Sequence, residues 1–227
     1  MFWQEEDTKP QPHTVSDEVV DLGFTMQCKQ LPIDHAWALQ TALLTILPWL
    51  AEEPLARIHS IHVAESSNGW MRPDHHQEQV LIPSHRTKLY LRLPNTRLAQ
   101  AQQLTGQTLL LDSYTLTLGA AKVRHLQHQA VVFARYIACL PNETEEQLLQ
   151  RMADEIQQLT GVNIKKMLCG KSHYLYHPQH PLLTRQLMLA DLDHATSIKL
   201  QQYGLGTERL MGCGILLPHK GIQAQNS

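Results

Sequence analysis

The stretch "GLGTERLMGCGILLPHK", residues Gly204–Lys220, holds two Gly-x-Gly pairs, Gly204/Gly206 and Gly212/Gly214. Four of the chain's 11 glycines therefore lie in this one segment, close to its end. Glycine packs no side chain and loses more backbone freedom on folding than other residues, so a cluster marks backbone that bends unusually or approaches something closely. Without further information, a glycine-rich hairpin turn that binds nothing is the simpler interpretation.

Composition predicts an ordinary globular chain. The sequence has 227 residues, 43% hydrophobic and 18% charged, with no apolar run long enough for a membrane span. The acidic, polar start lacks the pattern of a secretory signal, so we expect a cytoplasmic protein without a membrane partner. Four cysteines lie far apart with no C-x-x-C pair, which favours small apolar residues over disulfides or zinc ligands.

Charge is unevenly distributed along the chain. The formal net charge is −2, but residues 1–18 carry five acids and one lysine, so residues 19–227 have a net charge of +2. Residues 86–135 hold seven basic side chains and one acid, and residues 162–227 hold seven basic side chains and three acids. These two basic segments are compatible with a polyanionic binding partner.

The first half of the chain follows the order β-α-β-β-α-β. The expected elements are a strand from Val19 to Lys29, a helix in "PIDHAWALQTALLTILPWL" capped by Asp34, a strand in "ARIHSIHV", a turn in "ESSNGWMRPDHH", a strand in "TKLYLRLP", a helix in "NTRLAQAQQLTG" and a strand in "QTLLLD". Pro10 and Pro12 lie in a polar N-terminal arm that we expect to be disordered or loosely attached.

The same order runs again in the second half. The expected elements are a strand in "QAVVFARYIACL", a helix in "NETEEQLLQRMADEIQQLTG" capped by Asn142 or Thr144 and ended by Gly161, strands in "VNIKKMLCGK" and "LLTRQLMLADL", a helix in "DHATSIKLQQYG" and a strand in "CGILLPHKG". We therefore predict an α+β fold of tandem ferredoxin-like (RRM-like) βαββαβ domains. The predicted divisions are an arm at 1–18, domains at 19–125 and 126–222, and a tail at 223–227.

A tandem ferredoxin-like chain with "GLGTERLMGCGILLPHKG" before its last strand resembles the CRISPR-associated repeat-RNA endoribonucleases of the RAMP superfamily. The stretch "LPIDHAWALQTALLTILPWL" is similar to the first strand-to-helix junction of the myxobacterial-type branch, which also occurs in cyanobacteria. The resemblance covers roughly residues 19–222. It implies cleavage of CRISPR repeat RNA, often a stem-loop, to give guide RNA for a type I effector complex whose other subunits would be partners.

The resemblance also implies a role for the glycines and for one histidine. Gly204, Gly206, Gly212 and Gly214 would let backbone N–H groups reach RNA phosphates, and Arg209 would add a charged contact. In this family a histidine on or near the first helix commonly promotes cleavage, and His35 matches that position. The implied reaction needs neither metal nor cofactor: a 2′-hydroxyl attacks the adjacent phosphorus, and a 2′,3′-cyclic phosphate remains.

Further RNA contacts are expected at basic side chains. The RNA-binding candidates are Arg124, Lys165, Lys166, Lys171 and Arg185. Candidates for a group that stabilises the charge on the reacting phosphate are Lys171, Lys199, Tyr203 and Arg209. Neighbouring residues on a regular strand point to opposite faces, so at most one of Lys165 and Lys166 would touch RNA from the sheet surface. Each could equally be a solvent-facing charge.

The 14 histidines do not predict a zinc site. His59 and His62 lie three apart on a predicted strand, so they point to opposite faces, and the other pairs lie in loops without a cysteine or H-E-x-x-H context. Two alternatives to the endoribonuclease remain open. One is a non-catalytic RNA-binding or scaffold subunit of the same superfamily, and the other is a ferredoxin-like small-molecule enzyme or regulatory domain.

Overall fold

The structure, a computed structural model, describes residues 18–63 and 80–219. In the first half the elements are β1 (Val19–Gln27), β2 (Leu31–Pro32), α1 (Ala36–Ile46), β3 (Arg57–Ile58), β4 (Val80–Leu81), β5 (Lys88–Pro94), α2 (Leu98–Ala101), β6 (Thr108–Leu111) and β7 (Tyr114–His125). The predicted arm, the turn in "ESSNGWMRPDHH" and the tail at 223–227 lie outside the described residues, save for Glu18.

The second half contains β8 (Val132–Ala138), α3 (Glu145–Thr160), β9 (Lys166–Leu175), β10 (Leu182–Ala190), α4 (His194–Tyr203) and β11 (Leu216–Pro218). Helix α3 begins with a capping box in which the Thr144 side chain accepts from the Gln147 amide, and it ends at Gly161 in the left-handed conformation. Both ends were predicted from the sequence and are confirmed.

Two antiparallel sheets confirm the tandem ferredoxin-like fold. The first has the order β3-β5-β1-β7-β6 and the second β11-β8-β10-β9, with β2 and β4 paired separately. In the first sheet β1 lies between β5 and β7, and in the second β8 lies between β10 and β11. In both, the first strand of the half therefore lies between the third and the last strands of the split βαβ motif. Each half thus forms its own sheet.

The first sheet has one more strand than the sequence predicted. The 12-residue strand β7 pairs with β1 and occupies the place that we expected for "QTLLLD", which instead forms the edge strand β6 beside β7. Only Leu116 and Leu118 are buried along β7, because its second half, "GAAKVRH", carries small and charged residues. That half lacks the alternation of large apolar residues that identifies a strand.

The predicted second helix is broken into pieces. Two 3-10 turns, Asn95–Arg97 and Gln102–Leu104, flank the four-residue helix α2, and none of the three pieces has a side-chain cap bond at its N-terminus. The apolar residues Leu98, Ala101 and Leu104 recur every three positions. This spacing fits the three residues per turn of a 3-10 helix better than an α-helix.

Helix α1 joins the two halves. Its buried residues Leu39 and Leu43 pack into the core of the first sheet. At its N-terminus Ala36 packs with Tyr136 and Leu175, which belong to the second sheet. The two sheets are therefore held together around the start of this helix, where the functional site was predicted.

Across the described residues, none of the helices has the length and apolar character needed to cross a membrane. The four cysteines form no disulfide, and Cys213 is buried while Cys28, Cys139 and Cys169 are half-buried.

Candidate RNA interface and active site

The glycine-rich loop is packed inside the molecule, between α4 and β11. Gly204, Gly212 and Gly214 have φ values of +63°, +83° and +69°, which disfavour any other residue. A Cβ at Gly204 or Gly214 would meet backbone oxygens of this same loop, and one at Gly212 would meet Ser60 of the first half. What approaches these three glycines closely is the protein's own chain.

The amides of this loop are also bound internally. The Gly214 N–H donates to the Tyr136 carbonyl at 2.8 Å, and the Leu205 N–H to the Gly214 carbonyl at 3.0 Å. The Gly206 N–H donates to the Glu155 carboxylate at 2.8 Å. The predicted contact of these glycine amides with RNA phosphates would require such bonds to open. Gly206 is half-buried, and the nearest atom to a Cβ placed there is 3.8 Å away.

Arg209 lies in the loop as predicted, but its guanidinium faces the first half of the chain. Its Nη2 donates to the carbonyls of Ala51 at 2.7 Å, Glu53 at 3.2 Å and Leu50 at 3.3 Å, just after α1. Arg209 therefore ties the glycine-rich loop to the end of the first helix.

A buried ion pair also links the two halves. Arg92 on β5 is fully buried, and its Nε donates to Asp21 Oδ1 at 2.8 Å. Its Nη1 donates to the carbonyls of Gln201 and Leu216, both in the second half and both at 2.9 Å. Burial would raise the pKa of Asp21, but the charge of Arg92 holds that pKa well below its ordinary value.

His59 completes this cluster. Its Nε2 lies 3.2 Å from Asp21 Oδ1, and burial lowers its pKa despite that carboxylate. Arg57, two residues before His59, is also buried, and its pKa falls to about 10 because of burial and of the charges of Arg92 and Arg209. Three arginines, Arg57, Arg92 and Arg209, thus lie around the contact between the halves.

Beside the ion pair, the open faces of the two sheets enclose a cavity of about 520 Å³. One wall carries Tyr90, with the Arg124 guanidinium 4.5 Å from its ring centre. The other wall carries Phe133, with the Arg135 guanidinium 5.3 Å from its ring centre. Further basic residues at the rim are Arg86 and Lys88. We call this space the intersheet cleft.

Of the predicted RNA contacts, Arg124 belongs to the intersheet cleft. Its side chain is 51% exposed and its Nη2 donates to Asp21 Oδ2 at 2.7 Å. Five other residues of the cleft were not predicted from the sequence: Tyr90, Phe133, Arg135, Arg86 and Lys88. The available signal was an arginine two residues after an aromatic residue, in "YLR" of β5 and in "FAR" of β8, because alternate residues on a strand share one face.

The remaining predicted cations lie along β9 and its neighbours. Lys165, Lys166 and Lys171 are exposed, and Lys166 pairs with Asp191 at 2.7 Å. Arg185 on β10 pairs with Glu145 at 3.1 Å, where α3 begins. Lys199 and Tyr203 are exposed on α4. The structure thus separates these residues from the intersheet cleft.

His35 lies at the N-terminus of α1 but is only 4% exposed. Its Nδ1 lies 2.9 Å from the Pro32 carbonyl, and its Nε2 accepts the Ile61 N–H at 2.9 Å. The pair of bonds defines a neutral ring that donates from Nδ1 and accepts at Nε2. For His35 to take a substrate proton, as predicted, the Ile61 bond would have to break.

Asp34 does not cap α1 as expected, since the N-cap position is His35. The Asp34 Oδ2 instead accepts the N–H of Tyr176 at 2.6 Å, which fixes the turn between β9 and β10 against the start of α1. In that turn the His177 ring lies 4.6 Å from Trp37, edge to face, and 5.6 Å from His180. We call these three side chains the Trp37–His177–His180 cluster.

Within the described residues, histidine, cysteine, aspartate and glutamate side chains form no group of three or more that could hold a metal ion.

Comparison with known proteins identifies the family. The Cas6 CRISPR family model matches residues 20–221. The CRISPR-associated endonuclease Cas6 of Myxococcus xanthus (strain DK1622) is 26% identical over 199 residues, covering 88% of this chain and 81% of that relative. Among solved structures, a Cas6-related gene product from Pyrococcus furiosus has a TM-score of 0.62 and 11% identity, over 89% of this chain and 99% of the other. A RAMP protein that binds different RNA substrates has a TM-score of 0.64 and 13% identity, over 87% and 98%. These matches confirm the family resemblance, and the chain belongs to the Cas6 family of CRISPR-associated proteins.

Proposed function

We propose that this protein is an endoribonuclease that cuts CRISPR repeat RNA within the precursor transcript to release mature guide RNAs. Family membership and the endonuclease from Myxococcus xanthus support the reaction. The observation that carries the choice of ligand is the intersheet cleft, where each wall pairs an aromatic ring with an arginine. Single-stranded RNA is bound in this way, by stacking of bases on rings and by cations that follow the phosphates.

A repeat that folds into a stem-loop would need a second surface for its duplex part. A-form stems are recognised mainly through phosphates and 2′-hydroxyls, because their deep groove is too narrow for side chains. Lys165, just before β9, and Lys171, within it, are exposed and have no acidic partner among the described residues, so they suit that contact. Lys166 is paired with Asp191 and would have to exchange partners.

The proposed chemistry is metal-independent transesterification. The ribose 2′-hydroxyl attacks the adjacent phosphorus, the bond to the 5′-oxygen breaks, and a 2′,3′-cyclic phosphate remains. One group must take the 2′-proton and another must protonate the 5′-oxygen, and imidazole performs either task near neutral pH. Three histidines around the start of α1 are the candidates for these two tasks, the predicted His35 and, in the turn between β9 and β10, His177 and His180.

We further propose that the product is handed to the other subunits of a type I effector complex, in the cytoplasm where the transcript is made. The family resemblance supports this assembly.

One observation favours a second candidate, an RNA-binding scaffold subunit that does not cut. Both ring nitrogens of His35 are engaged, as expected for a histidine with a structural role. Such a subunit would retain the intersheet cleft and bind repeat RNA, but it would leave the RNA intact.

The deciding experiment is cleavage of a CRISPR repeat RNA in EDTA, with the same RNA carrying a 2′-deoxy nucleotide at the cut as control. A single cut that EDTA does not suppress and the 2′-deoxy substitution abolishes supports the proposal. Binding without cleavage supports the scaffold, and absence of both excludes either function. A cut that EDTA abolishes would exclude the metal-independent route alone.

A further inference from the structure

We propose that His177 and His180 form the acid–base pair of the cleavage reaction, in place of His35. The inference rests on the proposed endoribonuclease function. It assigns the site of the scissile phosphodiester to the turn between β9 and β10, where that turn meets the start of α1.

The turn is held in position, as a catalytic group requires. Leu175, at the end of β9, is buried against Ala36 and Tyr136. The next residue, Tyr176, donates its N–H to Asp34 at 2.6 Å. These contacts fix the start of the turn against the first helix.

The two imidazoles are accessible and adjacent. His180 is exposed and His177 is half-buried against Trp37, with ring centres 5.6 Å apart between the two histidines. Rings this close can each direct one nitrogen at the same phosphodiester group. His35, by contrast, is buried with both nitrogens engaged, so it cannot reach a phosphate without losing the bonds that hold it.

The two rings differ in their hydrogen bonding. The Gln179 N–H donates to His177 Nδ1 at 3.3 Å, so the neutral His177 ring carries its proton on Nε2 and has no lone pair free to take the 2′-proton. We therefore assign the acceptor role to His180 and the donor role to His177, which acts as the imidazolium once its Nδ1 has exchanged the Gln179 bond for a proton.

The steps balance as follows. His180 takes the proton of the 2′-hydroxyl while the bond from O2′ to phosphorus forms. The bond from phosphorus to O5′ breaks, and O5′ takes a proton from protonated His177. Exchange with water then returns one proton to His177 and removes one from His180. Trp37 touches no reacting atom in this scheme and positions the His177 ring.

The test measures single-turnover cleavage of repeat RNA in EDTA by wild type and by His177→Ala, His180→Ala and His35→Ala. The matched control is His128→Ala, an exposed histidine whose ring pairs with that of His194 at 5.1 Å. Loss of either catalytic group should slow cleavage about 100-fold or more, with affinity for the 2′-deoxy RNA within about threefold of wild type. The control should cut at the wild-type rate.

A modified substrate separates the two roles. If a sulfur atom replaces the bridging 5′-oxygen, the leaving group needs no proton. His177→Ala should then recover most of its rate, and His180→Ala should not. For His35→Ala we expect a lower melting temperature. When this variant is assayed well below its melting temperature, its cleavage rate should be within about threefold of wild type.

Cleavage by both turn variants at the wild-type rate would overturn the inference and leave the endoribonuclease standing. The same holds if His35→Ala is folded, binds RNA and regains cleavage only when free imidazole is added. If the wild type cuts no repeat RNA, the proposed function fails and the inference fails with it.

Discussion

Replacing Asp21 with asparagine tests whether the ion pair at the centre of the molecule joins the two halves. Asparagine keeps the shape of the side chain and removes its charge. Arg92 is 0% exposed, so its guanidinium would be left in the interior without a counter-charge. Its hydrogen bonds to Gln201 and Leu216 would remain, because they go to backbone carbonyls.

Removing one partner of a buried ion pair costs about 3–5 kcal/mol, because the other charge stays desolvated. In a chain of this size that corresponds to a fall in melting temperature of roughly 10 °C. The matched control is Arg124→Gln. Arg124 pairs with the same carboxylate, but its own side chain is 51% exposed. An exposed pair of this kind contributes about 0–1 kcal/mol.

Urea unfolding of the three proteins, followed by tryptophan fluorescence and circular dichroism, gives these values. The pKa of Asp21 is lowered in the folded state, so its stabilising effect is present above the unfolded pKa of about 4 and is lost as pH falls below it. The difference in unfolding free energy between wild type and Asp21→Asn should therefore shrink as the pH is lowered from about 5 to about 3. A gap under about 1 kcal/mol at neutral pH, or one that does not change with acid, would refute the reasoning.

Three further predictions concern the glycine-rich loop and the cleft. Gly214→Ala should lower the free energy of unfolding by about 3 kcal/mol or more, because the new Cβ would meet the Leu205 carbonyl. Gly206→Ala should lower it by only about 1–2 kcal/mol, from backbone strain alone, and equal losses in urea unfolding would contradict this. Arg209→Ala should lower the free energy of unfolding by about 2 kcal/mol, because three hydrogen bonds to carbonyls are lost, while the affinity for RNA stays the same. Unchanged stability with weaker RNA binding would show instead that Arg209 contacts RNA. Arg86→Gln, at the rim of the cleft, should weaken RNA binding and reduce the slope of log K against log salt by about 0.7, and an unchanged slope would exclude a phosphate contact.

Local signals were enough to predict much of the second half. Helix α3 has a capping box, a left-handed glycine at its end and three buried residues on one face, all of which act within a few positions of each other. The strands of that half carry large apolar residues at alternating positions. Where each local preference agrees with the final fold, sequence patterns find the element.

Strand β7 shows where local signals fail. Its residues 119–125 form a strand because β1 lies beside them, with Phe24 opposite Ala121 and Leu22 opposite Val123. Nothing in the small and charged residues of that segment requires an extended backbone. Their conformation is set by a partner almost 100 positions away in the chain, which a pattern within one window cannot contain.

The glycine-rich loop shows the same limit for function. The sequence located four positions that need glycine. In the structure all four have positive φ values, and three of them also have close contacts within the protein. Glycine is needed in the same way whether the backbone packs against RNA or against a carbonyl oxygen of the protein. The spacing of the glycines therefore identifies tight packing, but it cannot identify what is packed against them.

The positions of the glycines bear on how the cleft works. Its two walls come from different halves of the chain, so the distance between Tyr90 and Phe133 depends on how those halves are joined. Arg92 joins them through the carbonyl of Gln201, Arg209 joins them through the carbonyl of Ala51, and Gly212 lies against Ser60. Since two strong and separate contacts must break before the sheets can part, the cleft has a fixed width. An RNA that enters it must adapt to that width, and unpaired nucleotides adapt far more easily than a duplex.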